Sequence, residues 1–353
     1  METVHQIFFK NSSQMDEIES NTVDLMVTSP PYPMIEMWDS LFSRLNEKIQ
    51  VAFQKGAGFK AFTLMHAELE KVWREVARVV RPGGIVCINI GDATRKISNN
   101  FQLFPNHIRI VMFFQNNGFA VLPSILWRKP TNSPNKFLGS GMLPTNAYIS
   151  LEHEYILIFR KGDEKREFPP AFEPRYNSAY FWEERNKWFS DIWLDLKGVS
   201  QKMDNQIRNK EKLRERSAAF PLKLPYRLIN MFSIYGDTIL DPFWGKGTTT
   251  FAAMISGRNS IGYEINSEFL ESFKTDLKDL KNTAQSINSK RLKDHIDFIK
   301  NYKKKGKDPK YKAKNYDFSV ITKQETEILL YSIKNHREHE NKFTVLYKKF
   351  ELD

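Results

Sequence analysis

Thr238-Ile239-Leu240-Asp241-Pro242-Phe243-Trp244-Gly245-Lys246-Gly247-Thr248-Thr249 reads as a short strand, a glycine-spaced turn and the start of a helix. Two glycines one residue apart let the backbone approach a ligand closely and adopt conformations closed to other residues. The helix that follows aims free N–H groups and the positive end of its dipole at that ligand. The turn lacks the third glycine of the dinucleotide fingerprint, and it is not a phosphate loop. Roughly twenty residues on, Ser260-Ile261-Gly262-Tyr263-Glu264 ends a second strand in an acid, the place for a carboxylate that accepts from ribose hydroxyls. An adenosine-type cofactor with few phosphates is implied.

Outward from this turn, apolar runs alternate with helix-periodic segments, the pattern of an α/β protein with a parallel sheet. Strands are expected at 23–28, 84–90, 120–127, 154–159, 238–240 and 260–264, and helices at 64–80, 105–116, 222–235 and 248–256. Three regions break the rhythm. Residues 33–62 carry an amphipathic helix around 38–53 and then a flexible Gly56-Ala57-Gly58. Residues 161–216 are polar and rich in charge and aromatic rings. From about residue 266 the chain turns lysine-rich and nearly glycine-free, which reads as helices with a basic connector.

The run Val23-Asp24-Leu25-Met26-Val27 stops in Thr28-Ser29-Pro30-Pro31-Tyr32. Proline fixes φ and supplies a carbonyl but no N–H, so the pair makes a stiff edge with outward-facing acceptors beside a flat ring. Such an edge suits gripping a planar group that carries an amine. The same five residues would also serve as a strand-ending turn with a packed tyrosine.

At 353 residues and 41% hydrophobic content the chain can bury a sizeable core. It has no apolar stretch of about 18 residues, so no membrane partner is expected. Met1-Glu2-Thr3-Val4-His5 lacks the basic-then-apolar layout of a secretory signal, and a cytoplasmic location is expected. The lone Cys87 excludes an internal disulfide framework and leaves too few thiols for a zinc site; with no metal-ligand spacing elsewhere, no metal is expected. The net charge of +11 points to a polyanionic partner.

Taken together, Thr28–Tyr32 and 241–249 resemble the motifs of the β-type S-adenosylmethionine-dependent DNA amino-methyltransferases, over residues 10–270. The amine motif comes first and the cofactor loop last. The resemblance therefore implies an α/β, circularly permuted Rossmann-like methyltransferase fold with a mostly parallel central sheet, helical insertions and a basic helical C-terminal extension. It divides the chain into a catalytic half (1–160, with the insertion at 33–62), a DNA-contact insertion (161–216), a cofactor-binding half (217–270) and the extension (271–353). It also implies S-adenosyl-L-methionine as cofactor, held by Asp241, Phe243, Gly245, Gly247, Thr248, Thr249 and Glu264, with Phe220 and Pro221 lining the methionine end. The family often has Gly-Asp near its start, with the acid on the adenine. Here the stretch is Lys10-Asn11-Ser12-Ser13, which leaves Asn11 or Ser12 for that contact.

The catalytic residues implied are Ser29, Pro30, Pro31 and Tyr32. An exocyclic amine is a poor nucleophile because its lone pair is delocalised into the ring. The Ser29 hydroxyl and Pro30 carbonyl would accept the two amine hydrogens, and those bonds strengthen as positive charge develops on nitrogen. Tyr32 would stack on a base flipped from the duplex. Direct transfer is expected. Methylation at a ring carbon would need a thiolate, and Cys87 lies in the apolar run Ile85-Val86-Cys87-Ile88. Serine at the first motif position is commoner in enzymes that act on the cytosine amine, so cytosine N4 is the expected target, with adenine N6 the alternative. RNA or protein amine methylation and an inactive DNA-binding scaffold are the remaining readings.

Double-stranded DNA is the expected partner, met by residues outside the core. Arg208, Lys212 and Arg214 offer one basic cluster; Lys303, Lys304, Lys305, Lys307, Lys310, Lys312 and Lys314 offer another, read equally as a phosphate-binding arm or a solvated linker. A separate restriction endonuclease would share the recognition site in a restriction-modification system. The protein is expected to be a monomer or homodimer.

Overall fold

The computed structural model describes residues 1–129, 138–197 and 220–351. In chain order the strands are β1 (Glu2–Phe8), β2 (Val23–Thr28), β3 (Val80–Ile90), β4 (Ala93–Ile97), β5 (Asn100–Phe104), β6 (Phe119–Arg128), β7 (Leu138–Gly139) and β8 (Ala147–Tyr148). Then come β9 (His153–Lys161), β10 (Ile192–Trp193), β11 (Thr238–Asp241), β12 (Asn259–Tyr263), β13 (Tyr311–Lys312), β14 (Ser319–Val320), β15 (Tyr331–His339) and β16 (Lys342–Lys349). Among the described residues, ten of these form one sheet in the order β10-β6-β9-β3-β2-β11-β12-β1-β16-β15, and the other six pair into small hairpins.

The centre of the sheet is parallel: β3, β2, β11, β12 and β1 run together, while β9 opposes β3 and β6. All six residues of β2 are buried, as a central strand covered on both faces requires. Leu25 and Val27 enter one apolar cluster with Ile239 and Trp244, and Met26 enters the other with Val86 and Trp73. Connections leave β11 towards β12 and leave β2 towards β3, in opposite directions along the sheet. The switch lies between β2 and β11, and in open α/β sheets ligands bind outside the carboxyl ends of the strands at that crevice. Those ends are Thr28 and Asp241. Because β2 precedes β11 in the chain, the order is the permuted one.

Helix Thr248–Ser256 has the expected bounds, and helix Gly58–Val79 starts six residues earlier than the periodicity suggests. The junction Gly56-Ala57-Gly58 is packed rather than free. A Cβ on Gly58 would sit 3.2 Å from the Ile97 side chain and 3.3 Å from that of Phe104, so glycine here lets the β4–β5 hairpin close on the helix. The amphipathic stretch 38–53 is broken at Asn46. Its side chain accepts from Lys48 N to cap helix Glu47–Gln54 and donates to Glu68 at 3.0 Å.

Two regions read as appendages are built into the core. Within 161–216, β10 adds an edge strand beside β6, and Trp188, Trp193 and Leu196 join the main apolar cluster. The extension after residue 271 begins helical, in the end of helix Phe269–Leu277 and in helix Leu280–Lys304, and later adds only a 3-10 turn at Lys323–Glu327. It then forms the β15–β16 hairpin, and β16 pairs antiparallel with β1. Lys342-Phe343-Thr344-Val345-Leu346-Tyr347 alternates in burial, with Phe343, Val345 and Tyr347 inside, and that period of two makes it strand despite its lysines. Helix Leu280–Lys304 is tied back to 161–197 by Arg291, which forks onto Glu184 at 2.6 and 2.7 Å.

Candidate active site

The turn after β2 is fixed from several sides. Thr28 Oγ1 donates to Asp241 Oδ1 at 2.6 Å, tying the residue before Ser29 to the residue that opens the glycine loop. Asn106, fully buried, donates from Nδ2 to the carbonyls of Pro33 (3.1 Å) and Gly91 (2.9 Å) and bonds His66 through Oδ1 (3.0 Å). Burial pulls the His66 pKa down to about 4, so the imidazole is neutral at physiological pH. Gly91 lies against the Tyr32 ring, where a Cβ would meet Cε2 at 3.1 Å. Tyr32 is thus held at its ring edge by Gly91 and through the next residue, Pro33, by Asn106, with Ser29 beside it.

Polar groups meet at that point. Ser29 Oγ donates to the Tyr32 hydroxyl at 3.1 Å, and Tyr32 donates to Glu154 Oε2 at 3.0 Å. Asn89 Nδ2 reaches the Tyr32 oxygen at 2.7 Å and Glu154 Oε2 at 2.8 Å, and Lys129 Nζ donates to Glu154 Oε1 at 2.9 Å. Burial, and then the Glu154 charge, hold the Tyr32 phenol well above its usual pKa. Asn89, Lys129 and Glu154 were not singled out from sequence. The available signal was polarity out of place: an asparagine inside Ile88-Asn89-Ile90 and a glutamate opening the apolar run of β9.

Across the switch point, Asp241 is buried and accepts from Phe243 N at 3.1 Å as well as from Thr28. Burial raises its pKa to about 6 against the opposing hydrogen bonds of Thr249 and Thr28. Gly245 N donates to Glu264 Oε2 at 2.8 Å, while Glu264 Oε1 takes the backbone N–H groups of Ile265 and Asn266. The two glycines differ in their needs. At Gly245 (φ 53°) the nearest atom to an added Cβ is Phe243 O at 3.9 Å, so the backbone faces open space. At Gly247 (φ 77°), the N-cap of helix Thr248–Ser256, a Cβ would lie 2.5 Å from Phe273 and 2.7 Å from Trp244. Phe273 in turn packs edge-on against Trp244 (5.0 Å) and Phe343 (5.5 Å), so the C-terminal hairpin buttresses the loop.

The remaining expected cofactor residues are placed as follows. Thr249 is buried against β2 with Oγ1 3.4 Å from Val27 O, and Thr248 begins the helix. Phe243 packs edge-on against Trp73 at 5.6 Å. Phe220 is buried in the main apolar cluster, and the Pro221 carbonyl accepts from Leu224 N as helix Lys223–Phe232 begins. Asn11 is exposed with its side-chain oxygen on Ser13 N (2.8 Å), and Ser12 is buried; both lie in the loop after β1, next to the strand that carries Glu264. Cys87 is fully buried in β3, and burial pushes its thiol up, as an inert core cysteine requires.

Arg208, Lys212 and Arg214 lie outside the described residues. The other basic run is not a plain linker. Lys303 and Lys304 end the long helix, Lys312 on β13 pairs with Asp317 at 2.9 Å, and Lys314 pairs with Glu327. Lys307 lies over the Tyr302 ring, 5.6 Å from its centroid. Lys303, Lys304, Lys305 and Lys310 are exposed.

Residues 23–275 match the N6/N4 methyltransferase family, described as DNA methylase. The chain belongs to that family. Across nearly its whole length it resembles the Type II methyltransferase M.MthZI of Methanothermobacter thermautotrophicus, 51% identical over 99% of this chain and 96% of that one. The Type II methyltransferase M.MjaI of Methanocaldococcus jannaschii is 53% identical over 75% of this chain and 88% of its own. Among solved structures, the putative DNA modification methylase TTHA0409 of Thermus thermophilus, complexed with S-adenosyl-L-methionine, superposes with a TM-score of 0.59 at 30% identity, covering 78% of this chain and 95% of that one. The cytosine-N4-specific PvuII DNA methyltransferase shares the fold at a TM-score of 0.51 and 16% identity, over 80% of this chain and 93% of that one.

This DNA methylase is therefore an S-adenosylmethionine-dependent DNA methyltransferase. The residues present fit that cofactor. The open backbone at Gly245, the Glu264 carboxylate bonded to its N–H, and the helix N-terminus at Thr248 form a cradle without the phosphate-binding loop a nucleotide triphosphate would need.

Proposed function

We propose that this DNA methylase modifies the exocyclic N4 amine of cytosine in duplex DNA, by base flipping and direct transfer. One observation carries the reading: the Ser29 turn and the glycine loop meet at the switch point through the Thr28–Asp241 bond. An amine held at Ser29 would lie beside whatever the loop holds, which is the orientation an in-line transfer needs. S-adenosyl-L-methionine, when bound, supplies the electrophilic methyl. Ser29 Oγ and the Pro30 carbonyl accept the amine hydrogens, Pro31 stiffens the turn, and Tyr32 stacks on the base. Asp241, Phe243, Gly245, Gly247, Thr248, Thr249 and Glu264 hold the cofactor; Phe220 and Pro221 support its methionine end, and Asn11 or Ser12 its adenine.

The choice of cytosine rests on serine at position 29, which carries one hydroxyl and no charge. The exposed lysines near the end of helix Leu280–Lys304 supply phosphate affinity, and the Type II names of the relatives support service beside a separate restriction endonuclease. The test is to incubate the protein with labelled cofactor and unmethylated duplex DNA, digest the DNA to nucleosides and identify the product by mass. N4-methylcytosine is expected. N6-methyladenine alone would overturn the base assignment, and label in RNA or protein but not DNA would overturn the substrate.

A further inference from the structure

We propose that Glu154 sets the donor–acceptor direction of a hydrogen-bond chain that ends on Ser29, so that the serine oxygen is held as an acceptor for the target amine. The inference rests on the reading of Ser29 given under the proposed function. It starts from the chemistry of the groups. A hydroxyl can donate or accept, whereas an ion-paired carboxylate can only accept. Glu154 is paired to Lys129 through Oε1, and its Oε2 lies 3.0 Å from the Tyr32 hydroxyl. Tyr32 must spend its one hydrogen there. Its oxygen is then left to accept, from Ser29 at 3.1 Å and from Asn89 Nδ2 at 2.7 Å. The Ser29 hydrogen is committed to Tyr32; Asn89 Nδ2 approaches one serine lone pair at a long 3.5 Å, and the other remains for an amine.

The same logic orients Asn89. Its Nδ2 lies within reach of Glu154 Oε2 (2.8 Å) and Tyr32, so the amide cannot present oxygen to both acceptors; Oδ1 is left buried without a hydrogen-bond partner. Burial keeps Tyr32 protonated, and so a donor, at working pH. An aspartate at position 29 would need no such arrangement, because an ionised acid cannot turn a hydrogen towards the amine. A serine can, and a serine hydrogen facing an N–H would oppose the bond that the transition state requires. A charged residue 122 positions from Tyr32, at the mouth of an apolar strand, thereby acquires a role. Glu154 is a positioning residue that works through Tyr32.

Glu154→Gln keeps the shape but offers one donor and one acceptor. Beside Lys129 the amide carbonyl is drawn to the ammonium and its NH2 faces Tyr32 and Asn89; Asn89 turns its unpartnered Oδ1 to accept, and the chain reverses. Single-turnover methylation of unmethylated duplex DNA, with enzyme in excess over sites, should slow by about tenfold or more. Affinities for S-adenosylmethionine and DNA should stay within about twofold, because the interaction matters mainly in the transition state. In Glu154→Gln/Lys129→Met the amide is free to turn its carbonyl back to Tyr32, and the rate should recover severalfold over the single variant. A Glu154→Gln rate equal to wild type, or a double variant no faster than Glu154→Gln, overturns the inference. Ser29→Ala is measured beside them. Its loss of activity upholds the Ser29 reading whatever the Glu154 variants do, and full activity overturns both.

Discussion

Asp241 is a carboxylate buried at a cost to stability, and Asp241→Asn should expose that cost. Burial raises its pKa from an ordinary 3.8 to about 6. The folded protein therefore binds the proton more tightly than the unfolded chain does. The sign follows: this group favours folding most below pH 3.8, and the benefit is lost as pH rises through about 6. The full difference corresponds to about 3 kcal/mol at neutral pH and to about half of that at pH 5. Asparagine removes the charge and keeps the oxygen that accepts from Thr28 and Phe243. The new NH2 can be met by Thr249, whose hydroxyl is able to donate to Val27 O instead. Urea unfolding of both proteins across pH 5 to 7.5 is the assay. Asp241→Asn should be the more stable, and its advantage should grow by about 1 kcal/mol over that range. A difference that is flat with pH, or that shrinks as pH rises, would refute the reasoning.

Other perturbations separate the parts of the site. Gly245→Ala meets only backbone strain in open space, so cofactor affinity should fall in calorimetry while unfolding shifts by about 1 kcal/mol. Gly247→Ala adds a clash with Phe273 and Trp244 to the strain, and should destabilise by about 2 to 4 kcal/mol in the same unfolding assay. Phe343→Ala, far from the loop in sequence, empties a fully buried site behind Phe273; about 3 to 5 kcal/mol should be lost, with weaker cofactor binding. Neutralising Lys303, Lys304, Lys305 and Lys310 should flatten the salt dependence of DNA affinity by about 0.9 in log–log slope for each phosphate contact removed. An unchanged slope assigns that run to solvent.

Features set by neighbours in the chain were legible from the sequence. The strand–turn–helix at 238–256 and the Ser29 turn depend on proline, glycine and an acid at fixed short spacings, and each forms where those spacings put it. Gly247 could be identified as a turn residue, but not as one pressed between Trp244 and Phe273, since the second ring arrives from another helix. Long-range partners were the hidden part. The lysines of β16 mask a strand whose alternate residues are buried only because β1 is there to pair with. Trp188 and Trp193, in a stretch legible only as rich in charge and aromatic rings, turn inward where β10 pairs with β6, while Trp182 stays exposed.

The sequence by itself determined the family, the cofactor class and the permuted order of the two motifs, because each is written in local backbone chemistry and in which motif comes first. Only the tertiary structure decided what surrounds Ser29. Asn89, Lys129 and Glu154 sit on three separate strand ends or their flanks, and nothing in their spacing says that they converge. The pleat of the sheet and the antiparallel return of β9 bring the Glu154 carboxylate to the Tyr32 hydroxyl. A hydrogen bond is decided within about 3 Å, and that distance is a property of the sheet rather than of any run of residues.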